Sequence, residues 1–116
     1  MNYESFAALI YVTDTENEAV MRMYDWKILH MDGDDQTYYQ AQSSDGRVIY
    51  AARQDEMGMT ASATFTMKLV EHFRPKAIIA KSVCDFADSR KSDKYQKFAA
   101  FTSCQFVKLM IDKILD

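Results

Sequence analysis

The segment Phe6-Ala-Ala-Leu-Ile-Tyr-Val-Thr13 is an unbroken apolar run rich in branched residues that ends on a single hydroxyl. A strand wetted on one side alternates apolar and polar residues, so a continuous run reads as a strand buried on both faces. At 116 residues the chain has room for one domain, because two cores would leave each half too small to offset its conformational entropy. Apolar residues make up 48% of the chain, with seven Phe and seven Tyr, which is enough to cover such a strand.

The remaining elements follow from their own spacing. Thr13 or Asp14 is placed to cap a short helix in which Ala19, Val20 and Met23 repeat at helical spacing, ending near Asp25. From Trp26 to Arg53 the period changes to two, with Trp26, Ile28, Tyr38, Gln40, Val48 and Tyr50 separated by turn signals at 32–35 and 43–46, predicting two or three antiparallel strands. Residues 38–42 and 47–53 form a hairpin. Residues 59–73, free of Gly and Pro, predict a largely buried helix that Arg74-Pro75 stops. Ala77-Ile-Ile-Ala80 begins a strand running through Val83, and Ser92 caps a last helix reaching about Leu115. In that helix Phe106, Met110 and Ile114 form one apolar row and Val107, Ile111 and Leu115 the next, leaving Lys108 and Asp112 for water. Strand, helix, meander, helix, strand, helix predicts an α/β domain with a mixed β-sheet flanked by helices.

Several function classes are disfavoured. A net charge of -3, without a long basic run, offers no field for a nucleic-acid backbone, and Lys91, Lys94 and Lys97 read as a solvated face. Cys84 and Cys104 stand apart from any CxxC or His pair and read as buried small apolar residues, while His30 and His72 read as element ends; no metal or cofactor is expected. No apolar run approaches the ~20 residues that span a bilayer, and the N-terminus lacks a signal-peptide pattern, so a soluble cytoplasmic protein without membrane partners is expected.

Three polar clusters each follow a predicted strand: Thr13 to Glu16, Gln54 to Met59, and Cys84 to Asp88. In open α/β sheets ligands bind outside the carboxyl ends of the strands, so this position carries the functional signal. If 6–13, 47–53 and 77–84 are neighbouring parallel strands, Glu16, the 55–58 loop and Asp85 leave one edge and gather within roughly 15 Å.

The segments Glu16-Asn-Glu-Ala-Val20, Glu56-Met-Gly-Met-Thr-Ala-Ser-Ala-Thr64 continuing to His72-Phe-Arg-Pro-Lys76, and Val83-Cys-Asp-Phe-Ala-Asp88 before a long helix resemble, in order, the nucleoside phosphorylase superfamily. That group includes the methylthioadenosine and S-adenosylhomocysteine nucleosidases. The resemblance implies cleavage of the N-glycosidic bond of purine nucleosides, with Asp85 as the acid at the purine base and Glu16 as the carboxylate that activates water. It places Gly58, with Met57 and Phe86, beside the substrate. Such chemistry needs two carboxyl groups on opposite sides of the bond, one of which keeps a proton.

Members of the superfamily are considerably longer. The resemblance implies one shortened domain over 1–116, with 1–80 its N-terminal and 81–116 its C-terminal part, and a central region missing near Ala80 and Lys81 that would have gripped the ribose. Activity of so short a chain is expected to be weak or absent. Asp55 and Glu56 stand where phosphorolytic members receive phosphate, and two carboxylates there would repel it, which favours hydrolysis. Removal of covering strands implies exposed edges and hence a homo-oligomer. The alternative is a non-catalytic module that binds a nucleotide or a partner chain. From the residues alone, Asp85 also suits an Asx-turn, Asp88 the closing of a turn, and Glu16 a helix N-terminus, and these readings stay open.

Overall fold

The computed structural model describes residues 3–54, 59–80, 101–102 and 104–114. Five strands, β1 (Ser5–Tyr11), β2 (Lys27–His30), β3 (Thr37–Gln42), β4 (Val48–Arg53) and β5 (Pro75–Ala80), form one sheet in the order β2-β3-β4-β1-β5. Helix α1 spans Asp14–Met21 and α2 Met59–Phe73; α3 is described over 101–102 and 104–109 and closes in a π turn, Met110–Ile114. β1 runs parallel to both β4 and β5, while β2, β3 and β4 form an antiparallel meander. This is the mixed α/β sheet expected from the sequence.

The apolar run occupies the interior of the sheet for the reason its composition implies. Successive side chains of a strand point to opposite faces. Ala7, Leu9 and Tyr11 pack with Val20 and Met23 at α1 and with Cys104, Val107 and Ile111 of α3. Ala8 and Ile10 pack with Phe65, Leu69 and Phe73 of α2. One strand thus feeds two cores, and each fully buried Leu or Ile contributes roughly 2 kcal/mol. The expected β3–β4 hairpin forms, with Tyr38 opposite Ala52 and Gln42 opposite Val48. Its turn closes with Ser43 N–H donating to Arg47 O at 2.8 Å, and Gly46 sits at φ 82, where a side chain would be strained.

Four expectations are corrected. α1 ends at Met21 rather than near Asp25, because the Arg22 and Met23 amides turn back to the Ala19 and Val20 carbonyls and the Trp26 indole N–H also takes Val20 O, at 2.7 Å. α2 is not largely buried: Phe65, Leu69 and Phe73 meet the sheet at helical spacing, whereas Met67 and Val70 are exposed on its outer side. In α3 the inward row is Cys104, Val107 and Ile111, and Phe106 is exposed. Asp112 is not left to water, since it accepts from Tyr24 Oη at 2.9 Å and Lys108 Nζ at 3.2 Å. Ile28, on the outermost strand β2, is likewise exposed.

Cys104 is fully buried, as expected of a small apolar residue, while Cys84 and the expected Ser92 cap lie outside the described residues. No helix among the described residues is long and apolar enough to cross a membrane.

Candidate functional site

Because β4, β1 and β5 are parallel, their carboxyl ends share one edge, with Tyr11 level with Arg53 and Ile10 level with Ala80. The chain after Tyr11 turns sharply into α1. Thr13 is its N-cap, with Thr13 Oγ1 accepting from Glu16 N–H at 3.1 Å. Glu16, the third helical residue, turns its side chain back over the turn. A single oxygen, Oε1, accepts from Thr13 N–H at 3.1 Å, Thr13 Oγ1 at 3.1 Å and Val12 N–H at 3.3 Å. Glu16 is 1% exposed. Three donors converging on one oxygen fix the orientation of the carboxyl group. This capping box satisfies amides that the helix itself cannot.

Neighbouring groups extend the polar edge. Gln54, 2% exposed, donates its backbone N–H to Tyr11 O at 2.7 Å and accepts from Ser62 Oγ of α2 at 3.0 Å. Arg53 Nε donates to Val12 O at 2.8 Å, and its guanidinium pairs with Asp14. Tyr11 Oη donates to Asn17 at 2.9 Å; burial above all, then the negative potential of Tyr39, pushes this hydroxyl well above the usual tyrosine range. The sequence reading singled out Glu16 but missed the roles of Arg53 and Ser62. Nothing in the spacing of α2 sets Ser62 apart from Thr60, Thr64 and Thr66, so its partner shows only in the folded sheet.

Of the residues proposed from the sequence, Glu16 lies at this edge; Asp85, Gly58, Met57 and Phe86 lie outside the described residues, as do Asp55 and Glu56. The described residues hold no grouping of three His, Cys, Asp or Glu side chains arranged for a metal ion.

A second polar cluster centres on Asp34, in the connection between β2 and β3. Its carboxylate receives Tyr38 Oη, Gln36 N–H at 2.9 Å, His72 Nε2 at 3.0 Å and Lys68 Nζ at 3.3 Å. Burial alone would raise its pKa, but these bonds outweigh burial and hold it well below the usual carboxylate range. His72 lies in the last turn of α2, at the element end expected of it, and it also bonds across to this loop.

Solved structures share the fold. Futalosine hydrolase of Helicobacter pylori superposes with a TM-score of 0.57 at 12% identity, over 69% of this chain and 34% of its own. A mutant methylthioadenosine nucleosidase from the same organism, with 5'-methylthioadenosine in its active site, gives 0.56 at 13% identity over 72% and 34%. The Neisseria meningitidis 5'-methylthioadenosine/S-adenosylhomocysteine nucleosidase, in complex with methylthio-immucillin-A, gives 0.53 at 18% over 66% and 32%. The chain has the nucleosidase fold. It spans about a third of the length of the solved structures it matches. Neither a protein-family model nor a curated protein matches the sequence. The likeness to these nucleosidases therefore rests on the fold.

Proposed function

We propose that this chain is a nucleosidase-like protein whose carboxyl-edge site receives a purine nucleoside, with Glu16 activating water and Asp85 serving the leaving base. Gly58, Met57 and Phe86 line the substrate. The supporting observation is the burial of Glu16 at the first exit of a parallel β4-β1-β5 edge, in a fold shared with enzymes solved with 5'-methylthioadenosine or methylthio-immucillin-A. Asp55 and Glu56, two carboxylates where phosphorolytic members receive phosphate, favour water over phosphate as the acceptor of the glycosyl group. Hydrolysis by the isolated chain is weak or absent, because two catalytic groups without a ribose grip forgo several kcal/mol of positioning. In the cell we place the protein in the cytoplasm as a homo-oligomer.

The second reading, a non-catalytic nucleotide-binding or assembly module, draws on the same carboxylate. Glu16 Oε1 is fully engaged within its own turn, as a purely structural capping residue would be. Base release and equilibrium binding should be measured with methylthioadenosine, S-adenosylhomocysteine, adenosine and inosine, with and without phosphate. Release that falls in Glu16→Gln while binding persists supports the nucleosidase-like site; binding without release, or neither with any of the four, leaves the module. Light scattering at tens of micromolar (roughly where weak edge pairing appears) tests assembly, and a monomer there rejects the homo-oligomer.

A further inference from the structure

We infer that Arg53 is a positioning residue that clamps the β1–α1 turn and so fixes the carboxylate of Glu16. The inference rests on the nucleosidase-like reading for its purpose, but not for its geometry. Arg53 ends β4, level with Tyr11 at the end of β1, so its side chain starts beside the turn it spans. Its backbone is held on the other side as well, since Gln36 Nε2 donates to Arg53 O at 3.1 Å.

From this anchored base the guanidinium reaches both sides of the turn. Nε donates to Val12 O at 2.8 Å, and the far end of the fork pairs with Asp14. Between those two contacts lie the Thr13 amide and hydroxyl that hold Glu16, and its third donor, the Val12 amide, comes just before them. Val12 is thus gripped twice, its carbonyl by Arg53 and its amide by Glu16. Displacing it shifts two of the three bonds that orient the carboxylate. A planar fork with separated donors makes both contacts at once, and a lysine ammonium on a flexible stem does not.

An exposed ion pair alone would be worth little, and Asp14 is 88% exposed. The distinguishing contact is therefore the one to Val12 O, and the two contacts respond differently to substitution. Backbone amide hydrogen exchange of the full chain, measured with the thermal midpoint, tests this in wild type, Arg53→Ala, Arg53→Lys and Asp14→Asn. Arg53→Ala and Arg53→Lys are expected to accelerate exchange at Val12 and Thr13 about tenfold or more, with the Leu9 and Leu69 amides unchanged. Asp14→Asn is expected to change Val12 and Thr13 by less than about threefold. Acceleration of Leu9 and Leu69 in step with Val12 means that Arg53 merely stabilises the sheet, and overturns the inference. Unchanged exchange at Val12 and Thr13 in Arg53→Lys also overturns it, and that variant suffices if Arg53→Ala does not fold. Because exchange needs no turnover, nucleoside binding by the wild type separately tests the nucleosidase-like reading: no binding of any of the four nucleosides with accelerated exchange rejects that reading and keeps the clamp.

Discussion

Asp34 and His72 meet at 3.0 Å between Oδ2 and Nε2, although 38 positions separate them in the chain. The contact joins the β2–β3 connection to the last turn of α2, and Tyr38, Gln36 and Lys68 complete the shell around the carboxylate. Asp34 has a folded-state pKa held below its unfolded value, so its contribution to stability is present above the ordinary carboxylate pKa near ~4 and is lost as pH falls below it. Urea unfolding from pH 7 downwards is expected to lose less stability in Asp34→Asn than in wild type. At pH 7, Asp34→Ala is expected to cost about 3 kcal/mol, since it leaves the buried Tyr38 hydroxyl and its neighbours without their acceptor. Equal acid slopes in wild type and Asp34→Asn would count against this account.

α2 presents one buried face, and two substitutions measure the contrast. Leu69 is fully buried between Phe65 and Phe73 against the sheet, so Leu69→Ala is expected to destabilise by about 2–5 kcal/mol. Met67 is 65% exposed on the outer side, and Met67→Ala should stay within about 0.5 kcal/mol. Denaturant midpoints for the pair suffice, and a large loss in Met67→Ala would mean that another layer covers this face in solution.

The pattern of hits and misses has a physical cause. The strand run at 6–13, the hairpin around Asp45-Gly46 and the Gly- and Pro-free helix 59–73 are set by neighbours close in sequence, and they were legible from period, turn chemistry and breakers. Which face of α2 is covered, and whether Asp112 meets water or Tyr24, depends on elements brought together from far along the chain. Periodicity names two candidate faces without choosing between them. At the site, the position of Glu16 just after a buried strand was legible because the parallel topology places strand exits together. The fork of Arg53 was not, because its partners Val12 and Asp14 lie on a strand exit that becomes its neighbour only in the folded sheet.

Tyr24 ties α3 to the loop after α1 through its bond to Asp112. Burial first, and then this bond to a carboxylate, raise the pKa of its hydroxyl. A raised folded-state pKa means that the contribution is fully present below the ordinary tyrosine value near ~10 and is lost as pH rises above it. Tyr24→Phe is expected to cost about 1 kcal/mol at pH 7 and to flatten the alkaline fall in stability. Thermal unfolding of both proteins at neutral pH and above pH ~10 makes the comparison; parallel curves would mean that the bond does not hold α3 in solution.

Glu16→Gln separates the two readings of the same side chain. Glutamine has the same shape and also serves at the third position of a capping box, so the turn and the helix should persist, with a stability change of no more than about 1 kcal/mol. What the substitution removes is the charge. Glutamine cannot take a proton from water, and loss of a general base costs about a hundredfold or more in rate. If Glu16 only caps the helix, base release and nucleoside binding by Glu16→Gln equal those of the wild type. If it activates water, turnover falls by that factor while the thermal midpoint barely moves, and nucleoside affinity changes less than turnover. Thr13→Ala supplies the complementary arm, because it deletes the hydroxyl that both caps the helix and bonds Glu16 Oε1. It is expected to lower stability by about 1 kcal/mol and to reduce any turnover through misplacement of the carboxylate. A protein whose stability falls in Glu16→Gln as far as in Thr13→Ala, with turnover untouched in both, has a helix cap at this edge and no catalytic base.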